Sequence, residues 1–364
     1  MAEKPRQEPR VVTGMPDVAL DREQFERRFR ERHFDPLFDE VDAELDAVID
    51  RAWRAYTENH KAPRTRKAGP KFADPNYDLS IEWLAAHDAI ERAAALHASP
   101  QSASRVLVIN GSARTDQSCP GEMSKSYRLA KLAQAAIEEH DGFEVDFLDL
   151  SRLVSEYGRV IYPCKSCVST AQPLCHWPCS CYPNNALGQT QDWMNEIYPR
   201  WVAAHGVLIA TPVNWYHVPS VLKLMIDRLV CADGGNPDPT TTHGKNAAEA
   251  KAIELEGWDY PKHLAGRAFA VVVHGDVAGS DVVKYALCDW LEWMKLVRAG
   301  PGAAIDRYVG YYEPYATSHD ALDRDTAIQN ETRNAAHALV ATVREIRSGR
   351  YRDPSEGLEA PRKK

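Results

Sequence analysis

The chain has 364 residues, 44% of them apolar, and a formal net charge of -8. That is enough apolar material for a sizeable core and too little positive charge for a general nucleic-acid binder, which must neutralise phosphates with Lys and Arg. No apolar run nears the roughly 20 residues of a membrane-spanning helix, and the first thirty residues lack the apolar stretch that marks export, so a cytoplasmic protein without membrane or nucleic-acid partners is expected.

Residues 1–20 are charged, Pro-rich and aperiodic, and are expected to be disordered. From Asp21 to Tyr56 apolar residues recur every three to five positions, as on helices with one buried face; KAPRTRKAGPKFADPNY then reads as a loop, and Ser80 to about Ala98 as another helix. Residues 21–103 are therefore expected to form a helical extension. From Arg105 strands and helices alternate. Val106–Ile109 is a strand and Ser124–His140 a helix; Phe143–Leu150 is a strand and Gln189–Ala204 a helix; Gly206–Val213 is a strand and Pro219–Cys231 a helix. Arg267–His274 is a fourth strand, Ser280–Val297 a helix, Ala303–Val309 a weaker fifth strand and Ala321–Ile346 a closing helix. Near-continuous apolar strands between amphipathic helices predict an α/β fold: a doubly wound, five-stranded parallel sheet over residues 104–347, with a tail after it. Residues 234–262 are polar and irregular, in the manner of a lid, an oligomer arm or a disordered loop.

In such a sheet ligands bind beyond the carboxyl ends of the strands. The loop after the first strand, Asn110 to Ser126, is rich in hydroxyls, carries Arg114 and ends at a helix start; Ser112, Arg114, Ser124 and Ser126 suit a phosphate. It is neither a GxxxxGK[ST] loop nor a GxGxxG turn, which disfavours nucleoside triphosphates and FAD alike. After the third strand, Thr211-Pro212-Val213-Asn214-Trp215 joins a hydroxyl, an amide and an aromatic face, a set that flanks a flat, polar-edged ring. After the fourth, His274-Gly275-Asp276 lets backbone approach a ligand closely.

The stretches VLVINGSAR, GVLIATPVNWYHVPSVLKLMIDRL and VVVHGDVAG resemble the NADPH-dependent FMN reductase-like family of flavodoxin-like flavoproteins, over about residues 104 to 300. The resemblance implies a flavodoxin-like fold, with FMN held by its phosphate at Ser112, Arg114, Ser124 and Ser126. It also implies a flavin ring edged by Thr211 to Trp215 and closed by His274 to Asp276. The implied activity passes electrons from NAD(P)H through FMN to a quinone, a flavin, dioxygen or a protein; an electron-transfer flavoprotein and a non-catalytic module are the competing readings. Such proteins build part of their site between subunits, so a homodimer or homotetramer is implied, with Trp290, Trp293 and Met294 as its apolar face.

Eight cysteines are present, five of them between Cys164 and Cys181. In a reducing compartment such crowding points to metal or redox use. Cys164, Cys167, Cys175 and Cys179 are the expected ligands of one centre, with Cys181 as a spare thiol or substitute ligand. The spacing resembles that of iron-sulfur flavoproteins, which implies a [4Fe-4S] cluster; four thiolates, or three with His176, suit zinc equally.

Overall fold

The computed structural model describes residues 19–33, 35–59, 63–118, 121–169 and 171–359. Most of the N-terminal segment expected to be disordered, through residue 18, lies outside the described residues, as does the tail from 360. The chain divides into two compact units. One takes Met1–His87, Lys165–Asp192 and Gly235–Asp259; the other takes Asp88–Cys164, Trp193–Gly234 and Tyr260–Lys364. The N-terminal helices thus share a unit with two later segments, one of them carrying most of the cysteines, which a boundary at residue 103 does not show.

The second unit holds the sheet. Its strands are β1 (Ser104–Asn110), β2 (Phe143–Asp149), β3 (Gly206–Pro212), β4 (Ala268–Gly275), β5 (Val297–Arg298) and β6 (Ala304–Tyr308), all parallel, in the order β2-β1-β3-β4, with β5 and β6 both on the outer edge of β4. The expected fifth strand is therefore two pieces: β5 pairs with Ala268 and Phe269, β6 pairs with Val271 to Gly275, and a turn at Pro301–Ala303 parts them. Every residue of β4 is buried, which explains its unbroken apolar run.

Five helices cover this sheet: α1 (Lys125–Glu138), α2 (Met194–Ala203), α3 (Ser220–Arg228), α4 (Ser280–Trp293) and α5 (Thr326–Arg347). Leu129, Ala133 and Ile137 of α1 and Leu339, Val340 and Val343 of α5 pack on Val108, Leu208 and Val272 of the sheet. Each such leucine, isoleucine or valine, fully buried, contributes about 1.5–3 kcal/mol. Gly206 is required at the start of β3 because a Cβ there would lie 2.9 Å from Val343 Cγ2.

Three of the expected helices begin late, stop early or break, each for a local reason. The one expected from Gln189 begins at Met194, because Gln189 is drawn into a bridge with Asn184 and the Trp193 amide is taken by the Val160 carbonyl. The one from Ser280 stops at Trp293, where Lys295 adopts φ 66° and Leu296 N-H donates back to the Leu291 carbonyl. The closing helix is broken at Asp325, whose side chain caps α5 by accepting from Ile328 N-H.

In the first unit, Arg22–Arg32 starts with a capping box between Asp21 and Gln24, and its Phe25 lies against Trp53 and Tyr56 of the helix Asp42–Asn59. The polar stretch 234–262 is not featureless: Asn246 caps a helix, Ala247–Gly257. No described helix is long and apolar enough to cross a membrane.

Candidate functional site

The loops after β1, β3 and β4 converge where the strand order reverses between β1 and β3. Asn110, fully buried, donates to Asp149 Oδ1 at 2.8 Å and accepts from the Ser112 amide, which bends the chain sharply at Gly111. No side chain fits there: a Cβ would meet Thr211 Oγ1 and Leu222 Cδ2 at 2.9 Å. Ser112 is buried and its hydroxyl accepts from the Arg114 amide, while Arg114 Nε donates to the Glu122 carbonyl. Ser124 caps α1, accepting from Tyr127 N-H. Ser126 is buried with its hydroxyl 2.7 Å from His274 Nε2.

His274 closes this set from β4. Burial drives its pKa down to about 3, helped by Lys125 and opposed by Asp276, so the ring is neutral. Its Nδ1 is buried and has no hydrogen-bond partner among the described residues. A buried polar atom left unpaired costs about 1–3 kcal/mol.

The β3 loop forms a tight hairpin in which Asn214 and His217 exchange backbone hydrogen bonds at 2.8 and 3.0 Å. Its two central residues, Trp215 and Tyr216, adopt φ of 49° and 66°, a conformation that bulky side chains rarely take and that costs about 1–3 kcal/mol each. Trp215 is nonetheless 94% exposed. Val213 N-H donates to the His274 carbonyl, tying this loop to β4. A Cβ on Gly275 would touch both Val213 and Tyr308 at 3.4 Å, and one on Gly279 would lie 3.0 Å from Tyr216. Beside the hairpin, a groove of about 750 Å³ runs between α3 and α4, lined by Trp215, Tyr216, Lys223, Val282 and Trp290 among others.

The twelve residues expected around FMN all lie in these three loops, in the last residues of β3 and β4 that lead into them, or at the adjoining start of α1. Lys125 was missed. It is 4% exposed, and its ammonium donates to Asp276 Oδ1 at 2.8 Å and to the Val309 carbonyl at 2.9 Å, joining the phosphate-type loop to the loop after β4. One signal was available, for a lysine in the first turn of a helix opposes the helix dipole and needs a partner. The expected apolar face of Trp290, Trp293 and Met294 is not one surface: Met294 is buried, Trp290 meets Trp201 edge-on, and Trp293 projects under Lys262. The outward apolar residues of α4 are Val282, Tyr285 and Trp293.

FMN fits these residues. Buried hydroxyls at Ser112 and Ser126 and the N-terminal end of α1 suit its phosphate, the close turn at Gly111 admits backbone, and His274 Nδ1 offers an unused polar atom.

The expected metal ligands are arranged differently. Cys164 belongs to the unit of the sheet, while Cys167, Cys175, Cys179 and Cys181 belong to the other. Cys167 and Cys181 Sγ lie 3.5 Å apart, and Lys245 Nζ sits 3.7 and 3.6 Å from them while donating to the Leu174 carbonyl at 2.8 Å. The hydrogen bond with Cys181 brings the Cys167 thiol down to about 6 against the effect of burial, and the Lys245 charge adds to it. For Lys245 desolvation pulls the pKa down, but Cys181, Cys167, Cys179 and Cys175 together outweigh it and raise the value. His176 is buried with Nδ1 against Ser180 Oγ and Nε2 against Thr242 Oγ1, so both nitrogens are engaged. Among the described residues no three of these sulfurs lie within 4.8 Å of one another. A zinc tetrahedron needs all its sulfurs about 3.8 Å apart, from Zn–S bonds near 2.3 Å. The pair is also held by an ammonium. This geometry does not fit a preformed zinc centre, and a pair at 3.5 Å is too close for two corners of a [4Fe-4S] cluster.

The chain belongs to the NADPH-dependent FMN reductase family, whose model matches residues 104–309. It is 29% identical over 127 residues to an iron-sulfur flavoprotein of Methanosarcina thermophila, an alignment covering 35% of this chain and 52% of that protein, so the chain spans about half the length of the curated relative it matches. Among solved structures it is similar to RosB with a bound 8-demethyl-8-formylriboflavin-5'-phosphate intermediate, at 14% identity and a TM-score of 0.45, over 72% of this chain and 92% of that one. It is also similar to an azoreductase from Bacillus anthracis, at 15% identity and a TM-score of 0.35, over 64% of this chain and 98% of that one.

Proposed function

We propose that this protein is an FMN-dependent oxidoreductase that takes electrons from NAD(P)H and delivers them to a flat aromatic acceptor of the quinone or flavin type. The observation that carries the reading is the β3 loop, which faces a buried polar cradle through Val213 and His274 and at its tip holds Trp215 exposed on a left-handed turn. An exposed aromatic gains no burial to offset that backbone conformation, and a stacking ligand supplies the missing contact.

Ser112, Ser126 and the first amides of α1 bind the phosphate, and Arg114 adds charge. Thr211 to Asn214 and the neutral His274 orient the ring edge, with His274 Nδ1 offered to it as a hydrogen-bonding group. Trp215 and Tyr216 give a second flat surface and exclude water from the reacting face. FMN itself supplies the hydride and electron chemistry when bound.

The test is cofactor release followed by stopped-flow reduction of the yellow protein with NADPH and NADH. Released FMN and rapid bleaching by either nicotinamide support the reading. Released FAD, or a protein that binds no flavin, overturns it; bound FMN that neither nicotinamide reduces leaves an electron-transfer flavoprotein.

A further inference from the structure

We propose that Cys167 and Cys181, with Lys245 beside them, form a thiol–disulfide exchange site whose substrate is a low-molecular-weight disulfide. The site lies wholly in the unit of the N-terminal helices and stands independently of the FMN reading.

Three segments build it. Cys167 opens a short turn, Cys167–Ser169, and Cys181 follows fourteen residues later on the same loop. The loop between them is clasped: Asn236 N-H donates to the Cys175 carbonyl at 2.6 Å and the Asn236 carbonyl accepts from Trp177 N-H at 2.9 Å. Trp83 Nε1 donates to the Pro178 carbonyl at 2.8 Å, a buried bond that fixes the loop from a third direction. The two sulfurs therefore meet because the backbone carrying them is tied at several points, rather than by free rotation of a mobile loop.

Both cysteines are only partly buried, whereas Cys175 and Cys179 in the same loop are buried, so Cys167 and Cys181, with Cys164, are the thiols of this segment nearest to solvent. The gap of 3.5 Å exceeds a disulfide bond by about 1.5 Å, a distance that side-chain rotation covers. Lys245 comes from the polar segment ahead of the helix Ala247–Gly257, and its three N-H donors are directed to Cys167 Sγ, Cys181 Sγ and the Leu174 carbonyl. A cation held at that position stabilises a thiolate on either sulfur, and the thiolate is the nucleophile in exchange.

The reaction balances without a metal. One thiolate of the pair attacks a sulfur of the small disulfide, forming a mixed disulfide and releasing one small thiolate. The second cysteine loses its proton to solvent and attacks the protein-bound sulfur, closing the Cys167–Cys181 bond and releasing the second small thiolate. Two protein thiols are oxidised and one external disulfide is reduced to two thiols.

The experiment uses the full chain, reduced and freed of reductant, then incubated with oxidised glutathione at neutral pH. Thiols are counted colorimetrically and the peptides mapped by mass spectrometry without reduction. Two thiols should be lost per chain, a peptide cross-linked through Cys167 and Cys181 should appear, and dithiothreitol should restore both. Cys181→Ser should stop at glutathione on Cys167. Lys245→Gln leaves both sulfurs in place and should slow the first step on the order of tenfold, which keeps the idea testable where a cysteine variant does not fold. Unreactive thiols, a cross-link between other cysteines, or Lys245→Gln reacting at the wild-type rate would each overturn it. So would stoichiometric iron or zinc in anaerobically purified protein that is lost in the Cys167→Ser variant.

Discussion

Arg114, in the loop after β1, and Lys125, the first residue of α1, are two cations that differ in burial and partners. Arg114 is partly exposed on the phosphate-type loop, so Arg114→Ala should weaken FMN binding by about 1.5–3 kcal/mol with the fold intact. Isothermal titration of the apoprotein with FMN measures it, and an unchanged dissociation constant would assign the phosphate to other groups. Lys125 is buried and points away from that loop toward Asp276 and the Val309 carbonyl. Lys125→Met should therefore act on stability first, costing about 1.5–3 kcal/mol for the lost charge-assisted bonds. Thermal unfolding of the apoprotein should detect it; a variant as stable as the parent would show that this link between loops contributes little.

Helices and strands carry two further expectations. Asp325 separates the short helix Asp320–Arg324 from α5 and accepts from Ile328 N-H, so Asp325→Ala should cost about 0.5–2 kcal/mol, read from the urea midpoint. The second concerns His205, just ahead of β3. Its Nδ1 accepts from the Arg105 amide at 3.0 Å and its Nε2 lies 3.0 Å from the His97 carbonyl, an arrangement that requires a neutral ring. Burial lowers the pKa of His205 to about 4, and that of the stacked His97 likewise to about 4. Between that value and the ordinary one near 6.5, the unfolded chain takes up protons that the folded chain refuses. The stabilisation is thus complete above pH 6.5 and is lost as pH falls toward 4. Melting temperatures across this window should decline, and His205→Gln should flatten the decline; an equally steep curve in the variant would place the acid sensitivity elsewhere.

At the scale of the whole molecule the expectation is self-association. Val282, Tyr285 and Trp293 of α4 are all exposed, with Asp289 between the last two, and Val282 also lines the groove with Trp215 and Trp290, so α4 presents an apolar strip of the kind found at interfaces. Sedimentation equilibrium at micromolar concentration should give a dimer or larger, and Tyr285→Glu should shift it toward monomer. A monomeric parent would mean that the strip serves a different ligand.

The alternation of strands and helices was legible because burial on both faces writes each parallel strand as an apolar run, as in β3 and β4, where nearly every residue is buried. That the loops after β1, β3 and β4 gather at one place was legible for a related reason: in this topology the residues following each strand fall at one end of the sheet, so their position follows from strand order alone. Helix ends were less so, because Asn184, Val160 and Asp325 compete for the same backbone groups through contacts that periodicity does not encode. Lys125 finds Asp276 across 151 residues, and Lys245 finds Cys181 across 64. The crowding of cysteines was plain in the sequence and marked the segment as chemically special. Which thiols meet was decided by tertiary structure, since Asn236 and Trp83 clasp the loop so that Cys181 rather than Cys164 shares a unit with Cys167. Linear spacing measures how far apart two cysteines can reach, and only the hydrogen bonds that fix the intervening backbone determine where their sulfurs point.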